Sequence, residues 1–379
     1  MKEYRKLGEF IEVLNRRNTD MKLGLDSVRG ISNTKLITET SKATVDENVI
    51  SKFYVINPGE FVYNPRTTRM GDKVGLAFNN TDKPLLFTFN NSAFKIKDLM
   101  KDKLLPEYLY LFFCRSEFDR FARINSWGSA TELFLFDDLC TIKFDPPDIK
   151  EQQKIVDTYN AITNRIQIKQ KINENLEKTA QCLFEEIFRG NLQKEEISFT
   201  DVIKLSGGGT PSTTESSFWQ GNIPFFTPAD INNSVFCLNT EKNLTETGLD
   251  NCSSRLYPSN TTFVSCRGTV GKLAISGVPM AMNQSCYALK DKESKYPFFT
   301  YSFSKYAIAK LKEKASGAVF SALVTRDFEM EKVFNPKNDD IEDFESKVKS
   351  VFDNIKKNER EILILSNLRQ SVVSQISKR

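Results

Sequence analysis

The chain has 379 residues, 40% of them hydrophobic and 27% charged, and it carries a formal net charge of +4 with no histidine. This length predicts two or more domains, and the absence of histidine excludes Ser-His-Asp and Cys-His catalysis and histidine metal sites, which favours a binding protein. The mild positive charge is compatible with nucleic acid only if the basic residues are locally concentrated.

The first half opens with short strand-like runs and a basic loop. Residues 51–64, SKFYVINPGEFVYN, are apolar runs broken by turn residues, and the loop 64–73, NPRTTRMGDK, carries three cations and two threonines. Such a loop can follow a DNA backbone and place an arginine on guanine edges. The alternative is an ordinary solvated turn.

An amide pair and an amphipathic helix follow this loop. Asn90 and Asn91 suit adenine, because an amide can bond N6 and N7 together, but they can equally satisfy backbone groups at a strand end. Apolar spacing predicts a helix at about 105–123. Strands and helix together make the globular part α+β.

A long helix is predicted at 149–189, a stretch without glycine or proline. Pro146-Pro147-Asp148 is a suitable stop-and-cap sequence before it, and Arg189-Gly190 ends it. Apolar residues alternate at steps of three and four, interrupted by Lys169 and Asn173, which is the heptad pattern of a helix that packs on another helix. A helix of roughly 35 residues is about 50 Å long.

The second half begins with a glycine-rich loop, Gly207–Ser212, in KLSGGGTPSTTESSFWQGNIPFF at 204–226. It lacks the lysine of G-x-x-x-x-G-K-[ST] and is followed by no helix pattern, so a mononucleotide site is not favoured. It also lacks G-x-G-x-x-G, which excludes a dinucleotide fingerprint. A turn that leaves a strand is the simpler interpretation.

The remaining elements of the second half repeat those of the first. The loop SCRGTVGK at 265–272, the amide pair Asn283-Gln284, a helix at 297–314 and a long helix at 337–379 occur in the same order as their counterparts, with a period of about 190 residues. The recurrence of the basic loop at the same place strengthens its interpretation as functional. Two equivalent long helices favour an antiparallel pair, with Lys169, Asn173 and Asn358 fixing the register.

No catalytic machinery is found in the sequence. No carboxylate cluster repeats between the halves, and the NPRT stretch lacks the aromatic of an amino-methyltransferase motif. The seven cysteines are scattered without any C-x-x-C pair, which favours reduced thiols in the cytoplasm over disulfides or zinc. No apolar run reaches membrane-spanning length, and the N-terminus does not resemble a signal peptide.

Two segments resemble a known family. GGTPSTTESSFWQGNIPFFTPADI at 208–231 resembles the opening of a target-recognition domain in the specificity subunits of Type I restriction–modification systems, and residues 144–188, FDPPDIKEQQKIV onward, resemble that family's central helix. The first half resembles a different class of recognition domain from the same family. The resemblance covers essentially the whole chain.

The resemblance implies two α+β target-recognition domains in a tandem half-repeat, separated by two long antiparallel coiled-coil helices. The implied boundaries are 1–148 and 191–336 for the domains and 149–190 and 337–379 for the helices. Each domain would read one half of a split double-stranded DNA target. The helices would set the spacer and dock two methyltransferase subunits, which carry S-adenosylmethionine, and through them the restriction subunits. The chain itself would bind no cofactor and catalyse nothing.

The residues implicated fall into two groups. The predicted DNA contacts are Arg29, Asn64, Arg66, Thr67, Thr68, Arg69, Lys73, Asn90, Asn91, Thr210, Ser212, Trp219, Arg267, Thr269, Lys272, Asn283 and Gln284. The predicted methyltransferase-docking residues are Gln152, Ile155, Tyr159, Ile162, Ile166, Phe344, Val348, Val351 and Ile355.

The second long helix departs from the family pattern. It begins NPKNDDIEDFESKV instead of P-P-x-x-E-Q-x-x-I, which leaves the heptads intact but puts its methyltransferase contact in doubt. The main alternative function is a non-catalytic coiled-coil adapter that binds only protein, which predicts no salt-dependent affinity for DNA.

Overall fold

The computed structural model of the chain describes residues 5–40, 47–67, 73–127, 132–190, 196–232, 234–314 and 322–376. It divides into two compact units, residues 1–164 with 365–379, and residues 165–364. Two long helices, α4 (Ile149–Phe188) and α9 (Asn338–Gln375), each contribute to both units. The predicted domain boundaries at 148, 190 and 336 stay a prediction, because the compact units divide within the long helices.

The first unit is built around a four-stranded antiparallel sheet of order β1-β8-β5-β6, flanked by the two-stranded pairs β2-β3 and β4-β7. Its strands are β1 (Ile11–Val13), β2 (Arg29–Ile31), β3 (Ile37–Glu39), β4 (Tyr54–Ile56), β5 (Phe61–Tyr63), β6 (Leu76–Phe78), β7 (Leu85–Phe87) and β8 (Ser92–Ile96). Its short helices are α1 (Pro106–Phe113), α2 (Ser116–Ile124) and α3 (Phe136–Cys140).

Aromatic side chains fill the space between this sheet and α1. The rings of Phe61 and Phe94, on neighbouring strands, stack at 5.0 Å, and the ring of Phe113 meets both edge-on. All three side chains are fully buried. Burial of this much apolar surface is the main source of stability for such a layer, since each large side chain contributes about 1.5–3 kcal/mol.

The helix predicted at about 105–123 is two helices, which corrects that prediction. Arg115 adopts an extended conformation between α1 and α2, and its Nε donates to the Phe112 carbonyl at 2.8 Å while its guanidinium lies 3.6 Å over the Phe112 ring. The side chain thus satisfies a carbonyl left over at the end of α1. The turn brings Phe118 and Ala122 of α2 into the same core.

The second unit contains a five-stranded sheet of order β10-β17-β14-β15-β12, a three-stranded sheet β13-β11-β16 and the pair β18-β9. Its strands are β9 (Glu196–Ser198), β10 (Ile203–Gly207), β11 (Trp219–Phe226), β12 (Phe236–Cys237), β13 (Lys242–Leu244), β14 (Thr262–Ser265), β15 (Leu273–Ser276), β16 (Ala281–Met282), β17 (Cys286–Asp291) and β18 (Lys332–Phe334). Its helices are α5 (Phe199–Val202), α6 (Glu246–Asp250), α7 (Pro297–Lys314) and α8 (Thr325–Met330).

The internal repeat is present at the level of the sheets. Four strands are neighbours in the order β1-β8-β5-β6 in the first unit, and four are neighbours in the order β10-β17-β14-β15 in the second. Every pairing in both series is antiparallel. In each case a hairpin, β5-β6 or β14-β15, carries the predicted basic loop between its strands. The predicted fold class, a tandem α+β half-repeat with two long helices, is confirmed.

The long helices run antiparallel and are held by a buried polar layer as well as by apolar packing. Within the second unit, Phe344 of α9 packs edge-on against Phe184 of α4 at 5.5 Å. Asn358 donates to Asn173 Oδ1 at 2.8 Å and accepts from Lys169 Nζ at 2.9 Å. The three polar residues that interrupt the heptads therefore bind one another, which fixes the register at a cost in stability.

Candidate nucleic-acid interface

The glycine-rich loop that leaves β10 is pressed against the β16–β17 turn. A Cβ at Gly208 would collide with the carbonyl oxygens of Met282 and Asn283, so this position requires glycine for close backbone approach. The N–H of Gly209 donates to the Met282 carbonyl at 3.1 Å and is used within the chain, not left for a phosphate. The loop is therefore a rigid first turn of the second domain.

This contact joins two groups of candidates that are 74 residues apart in the sequence. The hydroxyl of Thr210 hydrogen-bonds to Oε1 of Gln284, and both side chains are exposed. Further along the loop, the carbonyl of Ser212 accepts the indole N–H of Trp219 at 3.0 Å. Trp219 is half-buried and packs edge-on against Phe225 at 5.5 Å, so its first role is to anchor the loop.

The basic loop of the β14–β15 hairpin lies beside the same turn. The N–H of Cys266 donates to the Ser285 carbonyl at 2.8 Å, which places Arg267 next to the amide pair. Arg267, Thr269 and Lys272 are exposed, while the buried hydroxyl of Ser265 bonds to the Thr269 carbonyl and accepts the Lys272 N–H at 3.0 Å. The buried Ser265 hydroxyl thus holds the loop backbone, while the polar side chains of the loop face solvent.

The first unit carries a counterpart built in the same way. Arg66 forms an isolated antiparallel bridge with Leu133, as Arg267 does with Ala322, and Asn64 Oδ1 accepts the Arg66 N–H at 3.0 Å. Leu133 also bridges to Trp127, whose side chain is 73% exposed. An exposed tryptophan beside the arginine loop was not predicted, because composition alone assigns most tryptophans to cores.

Three of the residues predicted to contact DNA in the first unit form hydrogen bonds within the chain. Thr67 is 4% exposed, and both its N–H and its hydroxyl donate to the Glu132 carbonyl, at 3.2 and 3.4 Å, so its predicted contact with DNA stays a prediction that the burial does not favour. Arg29 donates to the carbonyls of Asp26 and Val28 at 2.7 and 2.8 Å. Lys73 and Asn90 are exposed, whereas Asn91 caps its own turn through Thr88. Thr68 and Arg69 lie outside the described residues.

In each amide pair, one side chain stabilises a turn and the other is exposed. Asn91 donates to the carbonyl of Thr88 at 3.1 Å, and Asn283 accepts the Ser285 N–H at 3.0 Å, so one member of each pair holds a turn. The other members, Asn90 and Gln284, are exposed. Of these four amides, the two exposed ones are the better placed to meet a base edge.

The docking residues predicted on the long helices are largely internal. Gln152 is fully buried, accepts the Leu105 N–H at 2.9 Å and donates to the carbonyls of Lys103 and Pro147 at 2.8 and 2.7 Å. Heptad positions make the helix seam, so their side chains contact the chain itself, and their predicted role in docking stays a prediction. The buried members are Gln152, Ile162, Ile166, Phe344, Val348 and Ile355, and the half-buried ones are Ile155, Tyr159 and Val351.

A concave surface beside Trp219, which encloses a volume of about 590 Å³, was not predicted from the sequence. It is lined by Gln220, Lys242 and Asn243 among others. The only local signal was the turn-like sequence Gln-Gly-Asn inside a strand pattern, which indicates a bulge. Elsewhere within the described ranges, no group of three or more cysteine, aspartate or glutamate side chains could hold a metal ion, and no helix has the length and apolarity of a membrane span.

The chain is similar to known proteins along its whole length. The family model for the Type I restriction modification DNA specificity domain matches twice, over residues 2–178 and 191–369. The Type I restriction enzyme HindI specificity subunit of Haemophilus influenzae is 23% identical over 72% of this chain and 77% of its own length. The MjaIX specificity subunit of Methanocaldococcus jannaschii is 32% identical over 32% of this chain and 29% of its own length.

A solved structure shares the fold. The S subunit of a Type I restriction–modification system from M. genitalium has a TM-score of 0.56 at 13% identity, over 99% of this chain and 95% of that chain. Its likeness supports the fold alone, whereas the two family matches cover both halves of the repeat. The chain therefore belongs to the Type I restriction–modification DNA specificity family and is a non-catalytic DNA-recognition subunit of such a system.

Proposed function

We propose that each half of the chain reads one half of a bipartite, asymmetric double-stranded DNA target. The observation that carries this proposal is the basic hairpin loop that recurs in both units, with Arg66 bridged to Leu133 and Arg267 bridged to Ala322. Two copies of one reader, with different loop sequences, suit two different half-sites. Family membership makes the protein-only adapter the weaker alternative.

The side chains at each loop supply the chemistry that duplex recognition needs. Arginine can bond O6 and N7 of guanine together, amides can bond N6 and N7 of adenine, and lysine and hydroxyl groups position the backbone. In the second unit these are Arg267, Gln284, Lys272 and Thr210, all exposed and tied to one turn. Because the net charge is only +4, such local clusters must provide the electrostatic attraction.

The long helices are the proposed scaffold for the partner subunits. Their seam is internal, so we assign docking of two methyltransferase subunits to the outward faces, where Ile168 of α4 is 60% exposed and Ile364 of α9 is 66% exposed. Restriction subunits would join through the methyltransferases. S-adenosylmethionine would be bound by the methyltransferase and not by this chain. A cytoplasmic location suits both the DNA target and seven free thiols.

A map of methylated adenines in cells with and without the gene tests the proposal. The expected result is a split, asymmetric motif that is methylated only when the gene is present, with one half-site for each domain. Purified full-length chain should also bind duplex DNA with an affinity that falls steeply as salt rises, since lysine and arginine displace counterions. Salt-independent or absent DNA binding, together with unchanged methylation, would favour the adapter instead.

A further inference from the structure

Strand β11 is interrupted by a bulge at its start. Trp219 and Ile223 are both in register with Leu244 of β13, so residues 220–222 have no partner on that strand. Bulges re-aim side chains and are enriched next to functional sites. Here the bulge directs Gln220 out of the hairpin, and the side chain is exposed.

The bulge backbone is held in an unusual conformation. Gln220 has a φ of 64°, in the left-handed region that residues with a Cβ rarely adopt. The next residue, Gly221, lies so close to β13 that an added Cβ would be 2.6 Å from the Thr245 nitrogen. A glycine at position 220 would relieve the strain, so the backbone of the bulge does not itself require the long polar side chain that the chain carries there.

The surroundings of Gln220 resemble a recognition surface. The side chain lines the concave surface of about 590 Å³ with Thr213, Trp219, Glu241, Lys242 and Asn243. Trp219 is fixed by its bond to Ser212, and Lys242 Nζ lies 5.8 Å from its ring. The surface is therefore continuous with the glycine-rich loop, whose Thr210 bonds to Gln284 in the β16–β17 turn. The Arg267 loop contacts the same turn through the N–H of Cys266.

We infer that Gln220 is a base-reading side chain of the second recognition domain and that it reads adenine. Its amide has no hydrogen-bond partner within the part of the chain that the structure describes, so both its donor and its acceptor can meet a ligand. The amide matches the N6–H donor and N7 acceptor of adenine in the major groove, while Lys242 is placed to contact a backbone phosphate. The inference rests on the proposed function, since it requires that this domain reads DNA.

Selection of binding sites from a randomised duplex pool by the full-length chain tests the inference. Gln220→Gly removes the amide and relaxes the backbone, so the variant should unfold at the same temperature as the wild type or higher. It should lose preference for one A·T pair in one half-site by roughly 5- to 150-fold, with the other half-site unchanged. Gln220→Met, which keeps the length and the strain but not the amide, should lose the same preference.

Ser294→Gly is the matched control. Ser294 is exposed and has a φ of 58°, so glycine relieves the same kind of strain in the turn between β17 and α7, away from the concave surface. This variant should keep the wild-type motif. If Gln220→Gly and Gln220→Met also keep it, the inference is overturned and the bulge serves structure only.

The remaining outcomes separate the inference from the proposed function. Loss of preference at a pair other than A·T would overturn the assignment to adenine. A wild-type chain that selects no motif at all would overturn the proposed function and the inference with it. A wild-type chain that selects a bipartite motif and a variant that loses one A·T position would support both.

Discussion

The buried carboxylate of Glu359 predicts that the stability of the second unit depends on pH. Glu359 is 5% exposed on α9 and accepts the main-chain N–H groups of Val235 at 2.8 Å and Phe236 at 2.9 Å. Burial raises the pKa of this carboxyl from 4.5 to about 7, although the two N–H donors act in the opposite direction. The carboxyl thus joins α9 to the start of β12 by hydrogen bonds. Its ionisation costs free energy because the charged form is buried.

The sign and the size of the effect follow from these two pKa values. Because the folded-state pKa lies above 4.5, the folded protein holds the proton more tightly, and the stability that this provides is complete below that pH and lost as the pH rises through about 7. Integrating proton binding between the two values gives a loss of about 2–3 kcal/mol in the free energy of unfolding between pH 5 and pH 8.

Urea unfolding of the wild type and of Glu359→Gln from pH 5 to pH 8 measures this loss. In a Trp127→Phe background, fluorescence reports on Trp219 and hence on the second unit. The unfolding free energy of Glu359→Gln should rise by about 2–3 kcal/mol relative to that of the wild type as the pH goes from 5 to 8, because glutamine cannot ionise. Asp353→Asn, at an exposed position of the same helix, should show no such change. A difference between Glu359→Gln and wild type that stays constant with pH would refute the reasoning.

Three further perturbations test the helix pair and the interface. Phe344→Ala, at a fully buried ring packed on Phe184 and Phe188, should cost about 3–5 kcal/mol in urea unfolding, whereas Ile364→Ala, 66% exposed, should cost little. Asn358→Ala should cost about 1–3 kcal/mol by leaving the buried Asn173 amide without its partner, and the double variant Asn173→Leu/Asn358→Leu should recover much of it; equal melting temperatures for the single variant and wild type would contradict this. Trp127→Ala should weaken binding to duplex DNA without lowering the melting temperature, because its side chain is 73% exposed beside the Arg66 loop; unchanged affinity would remove Trp127 from the interface.

Features with a local or periodic signal could be predicted from the sequence. The two long helices follow from heptad spacing and the absence of glycine and proline, and the tandem α+β repeat follows from motifs that recur in the same order. The polar interruptions Lys169, Asn173 and Asn358 were also recognised, and they meet in the structure. These features are set by propensity and patterning within a few turns of chain, which sequence reasoning can assess.

The tertiary structure decided which candidate side chains are free to act. Thr67 looks like its neighbours in the sequence, but its N–H is taken up by the Glu132 carbonyl and its side chain is buried. Gln152 was predicted to dock a partner, yet it satisfies three backbone groups within the first unit. Gln220 was not among the predicted contacts, and its positive φ and its exposure are visible only in the folded chain. Burial, register and hydrogen-bond satisfaction depend on contacts between distant parts of the chain, and no pattern within one segment specifies them.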